Sequence, residues 1–439
     1  MVKLFIPLLL IGLCIFSDLY IFLRYINPKL GAVNCSLGSA SFTKRKARLK
    51  ELSTVNCQLS TILKWAWWLP LLILLCMLIK FLFFNEGFER EYNNTNIFLL
   101  LMGLFCIPKI LFCILSLIPK VGEYLGIAAA LAVIYIILYG ITLGFSKLEV
   151  RHITFESERV PTSFDGYKIV QFSDAHTGVF RGPYAHLLRE SIDTINAQQP
   201  DLVCFVGDIE NFSPHELDSH KTAYSAIRAK DGVMTIMGNH DYSTYLHLPS
   251  GEEAAMVQRT RDMQRSFGWD MLVNEHRIIR HGNDSIYVIG EENWGLPPFP
   301  QYGDIRKAIA GTPYEATSNI ATKRNTENST NSRLTPLSIV LSHDPNAWRA
   351  HIMPVMRPDI TLSGHTHGTQ FSIFGWSPAS IAYKEWGKTY YYNDNDDYCK
   401  NSPCLLSVST GFGGNFPFRF NMPREIVVIT LKTTKATKK

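Results

Sequence analysis

Four long apolar runs in the first 145 residues constrain this chain more than any other feature. A membrane-spanning helix needs about 20 mainly apolar residues, and four segments qualify: residues 3–24, 65–84, 97–118 and 124–145. We therefore expect residues 1–146 to form a transmembrane region of four helices, followed by a soluble domain over 147–439. The first run could instead be a signal peptide, but it is too long, Asp18 interrupts it, and no convincing cleavage site follows directly.

The loops between the apolar runs differ in charge. The loop after the first run is basic, whereas the loop between the second and third runs offers only Arg90 beside three glutamates. Lysine and arginine accumulate in cytoplasmic loops, so the loop over 28–64 should be cytoplasmic. With four spans, the soluble domain then lies on the extracytoplasmic side. A miscounted span would place it in the cytoplasm.

Two charged residues, Asp18 and Lys109, lie inside the apolar runs. Intramembrane charges are costly and often functional. The structural alternative is an interhelical ion pair, or a lysine that reaches the interface. We favour the structural interpretation, because a transport site should show broken helices in paired halves and the runs have none.

Other classes of protein fit the composition poorly. A nucleic-acid-binding protein would carry a basic face with base-stacking aromatics, and no such surface is evident, nor is a protein partner. The nine cysteines match no zinc spacing. In an oxidising compartment Cys399 and Cys404 could pair, with two free thiols as the alternative.

The soluble half predicts an α/β fold. Five short apolar runs have the length of buried strands, and each ends in a polar cluster. The runs cover Tyr167–Phe172, Asp201–Val206, Val233–Met237, Leu337–Leu341 and Asp359–Leu362. Residues 183–198 and 251–267 are predicted helices, and 277–280 with 285–289 a hairpin. Two segments resemble insertions: residues 315–333, a polar surface loop, and residues 377–403, which should cover or border the site.

The polar clusters combine carboxylates, an amide and imidazoles at strand ends, where open α/β sheets bind ligands. They supply Asp174, His176, Asp208, Asn239, His343, His365 and His367. Such mixed oxygen and nitrogen ligands suit Mn, Fe or Zn better than Mg or Ca. Seven ligands exceed what one ion can accept, whereas two ions sharing a bridging carboxylate accommodate them.

The ordered set Asp-x-His, Gly-Asp, Gly-Asn-His-Asp, Ser-His-Asp-Pro and Gly-His-Thr-His-Gly resembles the calcineurin-like metallophosphoesterase superfamily. It is most similar to a bacterial branch of exported or membrane-attached members, over about residues 147–432. The resemblance implies a four-layer α/β/β/α sandwich, binding of two divalent or trivalent metal ions, and an inner-membrane location. It departs from the branch at Thr369, where a second glycine is usual, and in the two long loops.

The resemblance also assigns roles to the residues. Asp174, His176 and His367 would bind the first metal, and Asn239, His343 and His365 the second. Asp208 would bridge them. His240 would face the phosphate as a catalytic residue, and Asp241 would orient His240 in the manner of carboxylate–histidine pairs.

The function expected from this resemblance is a membrane-anchored phosphodiesterase. Two ions would activate a bridging hydroxide for in-line attack on phosphorus. Substrates could include phospholipids or lipid-linked phosphates, since a short linker holds the domain near the bilayer. The aromatic loop from Trp376 to Tyr398 could reach the interface. The alternatives are soluble phosphate esters, a catalytically silent sensor or binding protein, and a transporter with an accessory domain.

Overall fold

A computed structural model describes residues 2–28, 61–80, 88–315, 335–392 and 404–434. The chain divides into two compact units, Met1–Tyr139 and Gly140–Lys439. We call the first the helical unit and the second the sheet unit.

The helical unit consists of long apolar helices. Its helices are Val2–Ile21 with a π-helical turn Phe22–Ile26, Thr61–Lys80, Phe88–Leu101, the π-helical turn Met102–Cys106, Ile107–Ser116, and Gly122–Tyr139. Among the described residues, three helices are long and apolar enough to cross a membrane: Thr61–Lys80, Tyr92–Ser116 and Gly122–Gly144. They match the second to fourth predicted spans, so a membrane region is supported, whereas the first span stays a prediction. The basic residues 29–60 lie outside the described residues.

The described part of the sheet unit forms two mixed six-stranded sheets. Its strands are β1 (Leu148–Ser157), β2 (Lys168–Phe172), β3 (Leu202–Val206), β4 (Val233–Ile236), β5 (Asp270–Met271), β6 (Glu275–His281), β7 (Asp284–Gly290), β8 (Leu337–Leu341), β9 (Ile360–Ser363), β10 (Thr389–Tyr392), β11 (Cys404–Val408) and β12 (Arg424–Thr433). The order is β1-β12-β2-β3-β4-β5 in the first sheet and β10-β11-β9-β8-β7-β6 in the second. The five predicted strands are confirmed to within one residue at each end.

Parallel pairing brings the functional strand ends together. Strands β2, β3 and β4 run parallel in the first sheet, and β7, β8, β9 and β11 run parallel in the second. Every residue of β3 and β8 is buried, as expected for strands covered on both faces. One apolar cluster joins Val206 and Ile236 of the first sheet to Ile339 and Leu341 of the second, so the sheets share a core.

Helices flank the strands as the sequence predicts. The two longer ones, Ala185–Ala197 and Ser250–Ser266, agree with the predicted helices, and Lys221–Tyr224, Ile305–Ala308 and Ala379–Ala382 are single turns. The predicted hairpin is confirmed, because β6 pairs antiparallel with β7 up to His281 and Asp284. The predicted surface loop falls almost wholly on residues 316–334, outside the described residues. Residues 393–403 of the second insertion also lie outside them.

Candidate metal centre

Nine predicted site residues follow the carboxyl ends of five strands. Asp174 and His176 follow β2, Asp208 follows β3, Asn239, His240 and Asp241 follow β4, His343 follows β8, and His365 and His367 follow β9. Because these strands run parallel within each sheet, their carboxyl ends meet at a common edge, where ligands bind in α/β folds.

The structure gathers six of the seven predicted ligands into two groups. In each group, one ligand atom per residue lies within 4.8 Å of every other. The first ligand group is Asp174, His176, Asp208 and His367, and the second is Asp208, His343 and His365. Asp208 belongs to both groups, which is the position predicted for a bridging carboxylate.

The seventh ligand, Asn239, joins the second ligand group through its amide. Its Oδ1 lies 2.7 Å from Nδ1 of His365. On the other side of this group, Nε2 of His343 lies 3.1 Å from Oδ2 of Asp208. Asp208, His343 and His365 therefore have neighbouring oxygen or nitrogen atoms. Asn239 joins them through its contact with His365.

The first ligand group is as compact. Nε2 of His176 lies 3.1 Å from Nε2 of His367, and Nε2 of His367 lies 3.3 Å from Oδ1 of Asp174. Two imidazole nitrogens at this distance can share at most one proton, so at least one lone pair faces the cluster.

The backbone is unusual at the ligands themselves. Positive φ angles, uncommon for residues other than glycine, occur at Asp174, His176, Asp208, His365 and His367. Such conformations cluster at functional sites, where they are over-determined by their surroundings. Strands β2, β3 and β9 thus end in sharp turns that aim polar side chains into the cluster. Thr369 also adopts a left-handed φ of 51°, which the glycine usual at that position would adopt freely.

Two glycines permit the close approach of the strand ends. A Cβ on Gly207 would lie 2.8 Å from Nδ1 of His343, and one on Gly364 would overlap the carboxylate of Asp174. Both glycines belong to the polar motifs that the sequence analysis singled out. Glycine is required here because a ligand side chain occupies the space of its missing Cβ.

The charges of the cluster are balanced internally. Burial alone would raise the pKa of Asp208, but His343 and His240 hold that pKa well below its ordinary value. Burial would lower the pKa of His343, and Asp208 with Asp174 raises it to about 10. Burial, assisted by the positive charge of His343, lowers the pKa of His365 to about 3. His365 is therefore neutral, which is the ligand form of imidazole.

The donor set fits metal ions. Nδ1 of His343 is 2.7 Å from the carbonyl oxygen of Val206, so a proton on Nδ1 leaves Nε2 to the cluster, as in many metal-binding histidines. That Nε2 is buried, and it faces Oδ2 of Asp208 at 3.1 Å. A metal ion bound there would replace the Nε2 proton as the positive charge beside Asp208. The residues of the cluster therefore fit metal ions.

His240 lies beside the first ligand group, and a backbone carbonyl contacts its ring. Its ring is 4.7 Å from that of His176, and its Nδ1 is 2.6 Å from the carbonyl oxygen of Asn211. The Nδ1–H would donate a hydrogen bond to that carbonyl, leaving Nε2 to exchange a proton with a substrate. His240 is only partly buried, so the ring remains reachable.

Asp241 contacts different groups from those predicted. Its carboxylate accepts hydrogen bonds from the backbone N–H groups of Asp208, Ile209 and Gly238, at 2.8, 2.8 and 2.9 Å. The carbonyl of Asn211, rather than Asp241, holds the His240 ring in the described structure. Asp241 thus shapes the turn that presents Asp208, and its predicted role of orienting His240 remains a prediction.

Three further side chains, which the sequence analysis did not predict, line the centre. Tyr383, from the second inserted segment, has its hydroxyl oxygen 2.8 Å from Nε2 of His365. Tyr245 accepts a hydrogen bond from the amide of Asn239 at 2.8 Å. Oδ2 of Asp344 lies 3.6 Å from Nε2 of His365. Of the three, only Asp344 was signalled by a motif, the Ser-His-Asp-Pro cluster.

A family model for calcineurin-like phosphoesterases matches residues 167–369, which include all nine predicted site residues. The chain contains a calcineurin-like phosphoesterase domain. It is therefore a metallophosphoesterase, a hydrolase of phosphoric ester bonds, as the resemblance implied.

Curated relatives of this metallophosphoesterase come from bacteria and vertebrates. It is 29% identical to the uncharacterized metallophosphoesterase YkuE of Bacillus subtilis, covering 65% of this chain and 86% of that protein. It is 28% identical to a transmembrane protein with metallophosphoesterase domain of Danio rerio, covering 56% of this chain and 49% of that protein. It is 25% identical to the UDP-2,3-diacylglucosamine pyrophosphatase LpxG of Chlamydia muridarum, covering 62% of this chain and 86% of that protein.

Proposed function

We propose that this protein is a membrane-anchored, metal-dependent phosphodiesterase acting on lipid-linked substrates. The observation that carries the proposal is the pair of ligand groups that share Asp208. A complete, buried ligand set with an accessible histidine beside it is what hydrolysis requires and what a silent sensor would have no reason to retain.

The proposed architecture follows the sequence analysis. Residues 1–146 would be a four-helix membrane region, and residues 147–439 a four-layer α/β/β/α catalytic domain. Asp174, His176 and His367 would hold one ion, and Asn239, His343 and His365 the other, with Asp208 between them. Imidazole and carboxylate ligands together favour Mn, Fe or Zn.

Bound ions would supply the Lewis acidity and the hydroxide nucleophile for the reaction. The chain's own residues then account for the remaining steps. A new P–O bond forms as the bond from phosphorus to the leaving oxygen breaks, and Nε2 of His240 would give its proton to that oxygen. General acid catalysis of this kind typically contributes about 10²–10⁴ in rate.

Two observations support a lipid-linked substrate. The described residues include three candidate membrane spans, although a single span would suffice as an anchor. The relative LpxG is named for a diacylated nucleotide sugar. Water-soluble phosphodiesters are the alternative, with the spans serving only to localise the enzyme.

A substrate panel tests the proposal. Purified full-length protein in nanodiscs, loaded separately with Mn, Fe and Zn, is assayed with a bis-aryl phosphodiester, an aryl phosphomonoester, phospholipids and UDP-diacylglucosamine. We expect cleavage of the aryl diester and of at least one lipid substrate. Cleavage of the aryl diester alone would remove the lipid proposal, and no cleavage with any metal would favour the silent sensor.

We also propose that the catalytic domain is extracytoplasmic. The basic loop over 28–64 supports this orientation, as does Cys404, which is disulfide-bonded, since disulfides persist in oxidising compartments. Cys399, its predicted partner, lies outside the described residues. A reporter that is active only in the cytoplasm, fused after Lys439, should be silent, and its activity would reverse the orientation.

A further inference from the structure

Three apolar side chains of the sheet unit project from one short segment into solvent. Phe374 is 103% exposed, Ile381 80% and Trp376 51%. We call Phe374, Trp376 and Ile381 the apolar rim. Large exposed apolar side chains that cluster usually mark a contact surface.

The backbone conformation at the apolar rim disfavours a large side chain at Phe374. Ile373 and Trp376 form two backbone hydrogen bonds of 2.9 Å around a tight turn. Phe374 and Gly375 occupy the turn with φ values of 51° and 79°. The first central position of such a turn, which Phe374 occupies here, strongly prefers asparagine, aspartate or glycine. A bulky aromatic residue with positive φ is a genuine outlier, so the fold alone does not explain a fully exposed phenylalanine there.

The charge of the segment suits a lipid surface. Residues 371–384 contain no aspartate or glutamate, and they end in the exposed Lys384. Tryptophan with flanking lysine is the composition favoured at membrane interfaces.

The rim is also connected to the end of the last candidate span. That span, Gly122–Gly144, closes with residues that belong to the sheet unit. The backbone N–H of Arg419 donates to the carbonyl of Gly140 at 3.0 Å, and Phe418 packs on that glycine. The next residue, Phe420, accepts a backbone hydrogen bond from Ser372 at 2.9 Å, at the base of the rim turn. A short hydrogen-bonded path thus links the rim to the point where the chain leaves the apolar span.

We propose that the apolar rim inserts into the surface of the bilayer that holds the spans. The rim shares its loop with the metal centre, because Tyr383, two residues beyond Ile381, contacts His365. Docking would therefore set the opening of the centre against the headgroups. The insertion itself is independent of the substrate, whereas the presentation of a lipid phosphate to the centre rests on the proposed function.

Lipid photo-crosslinking of the full-length chain tests the insertion. The protein is placed in nanodiscs that contain phosphatidylcholine with a photoreactive group near the glycerol end of one acyl chain. After irradiation, lipid adducts are quantified by mass spectrometry on the peptide covering 371–384, with those on 122–144 as internal reference. We expect adducts on both peptides in the wild type. In the double variant Phe374→Asp, Ile381→Asp, rim adducts should fall about tenfold, since charges oppose interfacial burial, while span adducts persist.

Ile278→Asp is the matched control, because Ile278 is an exposed apolar residue of β6 in the same unit. It should leave rim adducts unchanged. Thermal unfolding midpoints of all variants establish folding without reference to activity. A labelled span with an unlabelled rim, or equal rim labelling in wild type and double variant, would overturn the proposal. Protein-to-protein crosslinks at 371–384 would also overturn it, in favour of a second copy as the occupant. If the wild type forms rim adducts but hydrolyses no substrate, the proposed function is contradicted and the insertion is not.

Discussion

The helical unit and the sheet unit each bury oppositely charged side chains, but the two clusters are composed differently. In the helical unit, Nζ of Lys109 lies 2.5 Å from Oδ1 of Asp18, and the ring of Trp67 has its centroid 4.2 Å from the same nitrogen. One cation meets one anion, with an aromatic face beside them. In the sheet unit, Asp208 is shared by two groups that contain four histidines and a second carboxylate.

This difference separates a structural pair from a ligand site. A one-to-one pair with good geometry has its charges matched and needs nothing further. The sheet-unit cluster instead collects more donor atoms than its members can satisfy among themselves, and the buried Nδ1 of His367 makes no hydrogen bond within the described residues. Burying unsatisfied polar groups costs free energy, so such a cluster is maintained for what it binds.

The largest effect should come from Asp208→Asn, which removes the carboxylate common to both ligand groups. We expect loss of both metals and of hydrolysis by more than about 10²-fold, since altering even outer-shell partners of a metal costs 10–100-fold. Metal stoichiometry by elemental mass spectrometry and turnover of an aryl diester measure this. His365→Ala should likewise lose activity and metal.

Asp218→Asn is the control for that substitution, because Asp218 is a partly exposed carboxylate that pairs with Arg259 in the same unit. It should retain both metals and full turnover. Unchanged stoichiometry and activity in Asp208→Asn would refute the two-metal assignment and make the sheet-unit cluster resemble the helical-unit pair.

A smaller effect is expected from His240→Ala, which removes a neighbour of the centre rather than a ligand. Both metals should stay, and turnover should fall by about 10²–10⁴ for alkyl esters, which need a proton delivered to the leaving oxygen. Aryl esters should lose less, because their leaving groups are stable as anions. Equal losses would limit His240 to positioning or electrostatic stabilisation, and loss of metal would make it a ligand.

The sequence predicted the residues that sit on regular structure. Asp174 and His343 could be found because a polar residue directly after a buried strand must lie at the sheet edge. The contact made by Asn211 could not, because a backbone carbonyl has no sequence signature. The contacts of Asp241 could not be predicted either: it adjoins His240 in sequence, but the tight turn points its carboxylate at backbone N–H groups. Tyr383 contacts His365 because its loop folds back over the centre, and the conformation of a loop cannot be predicted from its sequence.

Tyr383→Phe should therefore produce a selective, intermediate effect. The Tyr383 hydroxyl oxygen can accept a hydrogen bond from the Nε2–H of His365 at 2.8 Å, which leaves Nδ1 with the lone pair for metal. Losing such a partner typically costs 10–100-fold in metal affinity. We expect one of the two sites to weaken by about that factor, measured by competition with a chelator, while the other site and the thermal midpoint stay unchanged. Tyr391→Phe, on the exposed face of β10, is the matched control. Equal weakening of both sites, or of neither, would contradict this role.

The smallest catalytic effect should come from the helical-unit pair. Removing one partner of a buried ion pair costs about 3–5 kcal/mol, whereas replacing both by apolar residues is often neutral or stabilising. Asp18→Leu and Lys109→Met should each lower the thermal midpoint in nanodiscs, and the double variant should recover most of the loss. Hydrolysis of a soluble aryl diester should be unchanged in the double variant, since a matched pair supplies packing rather than chemistry. A double variant that is as stable as the wild type but has lost turnover would show that the pair is coupled to catalysis, and the contrast between the two clusters would then fail.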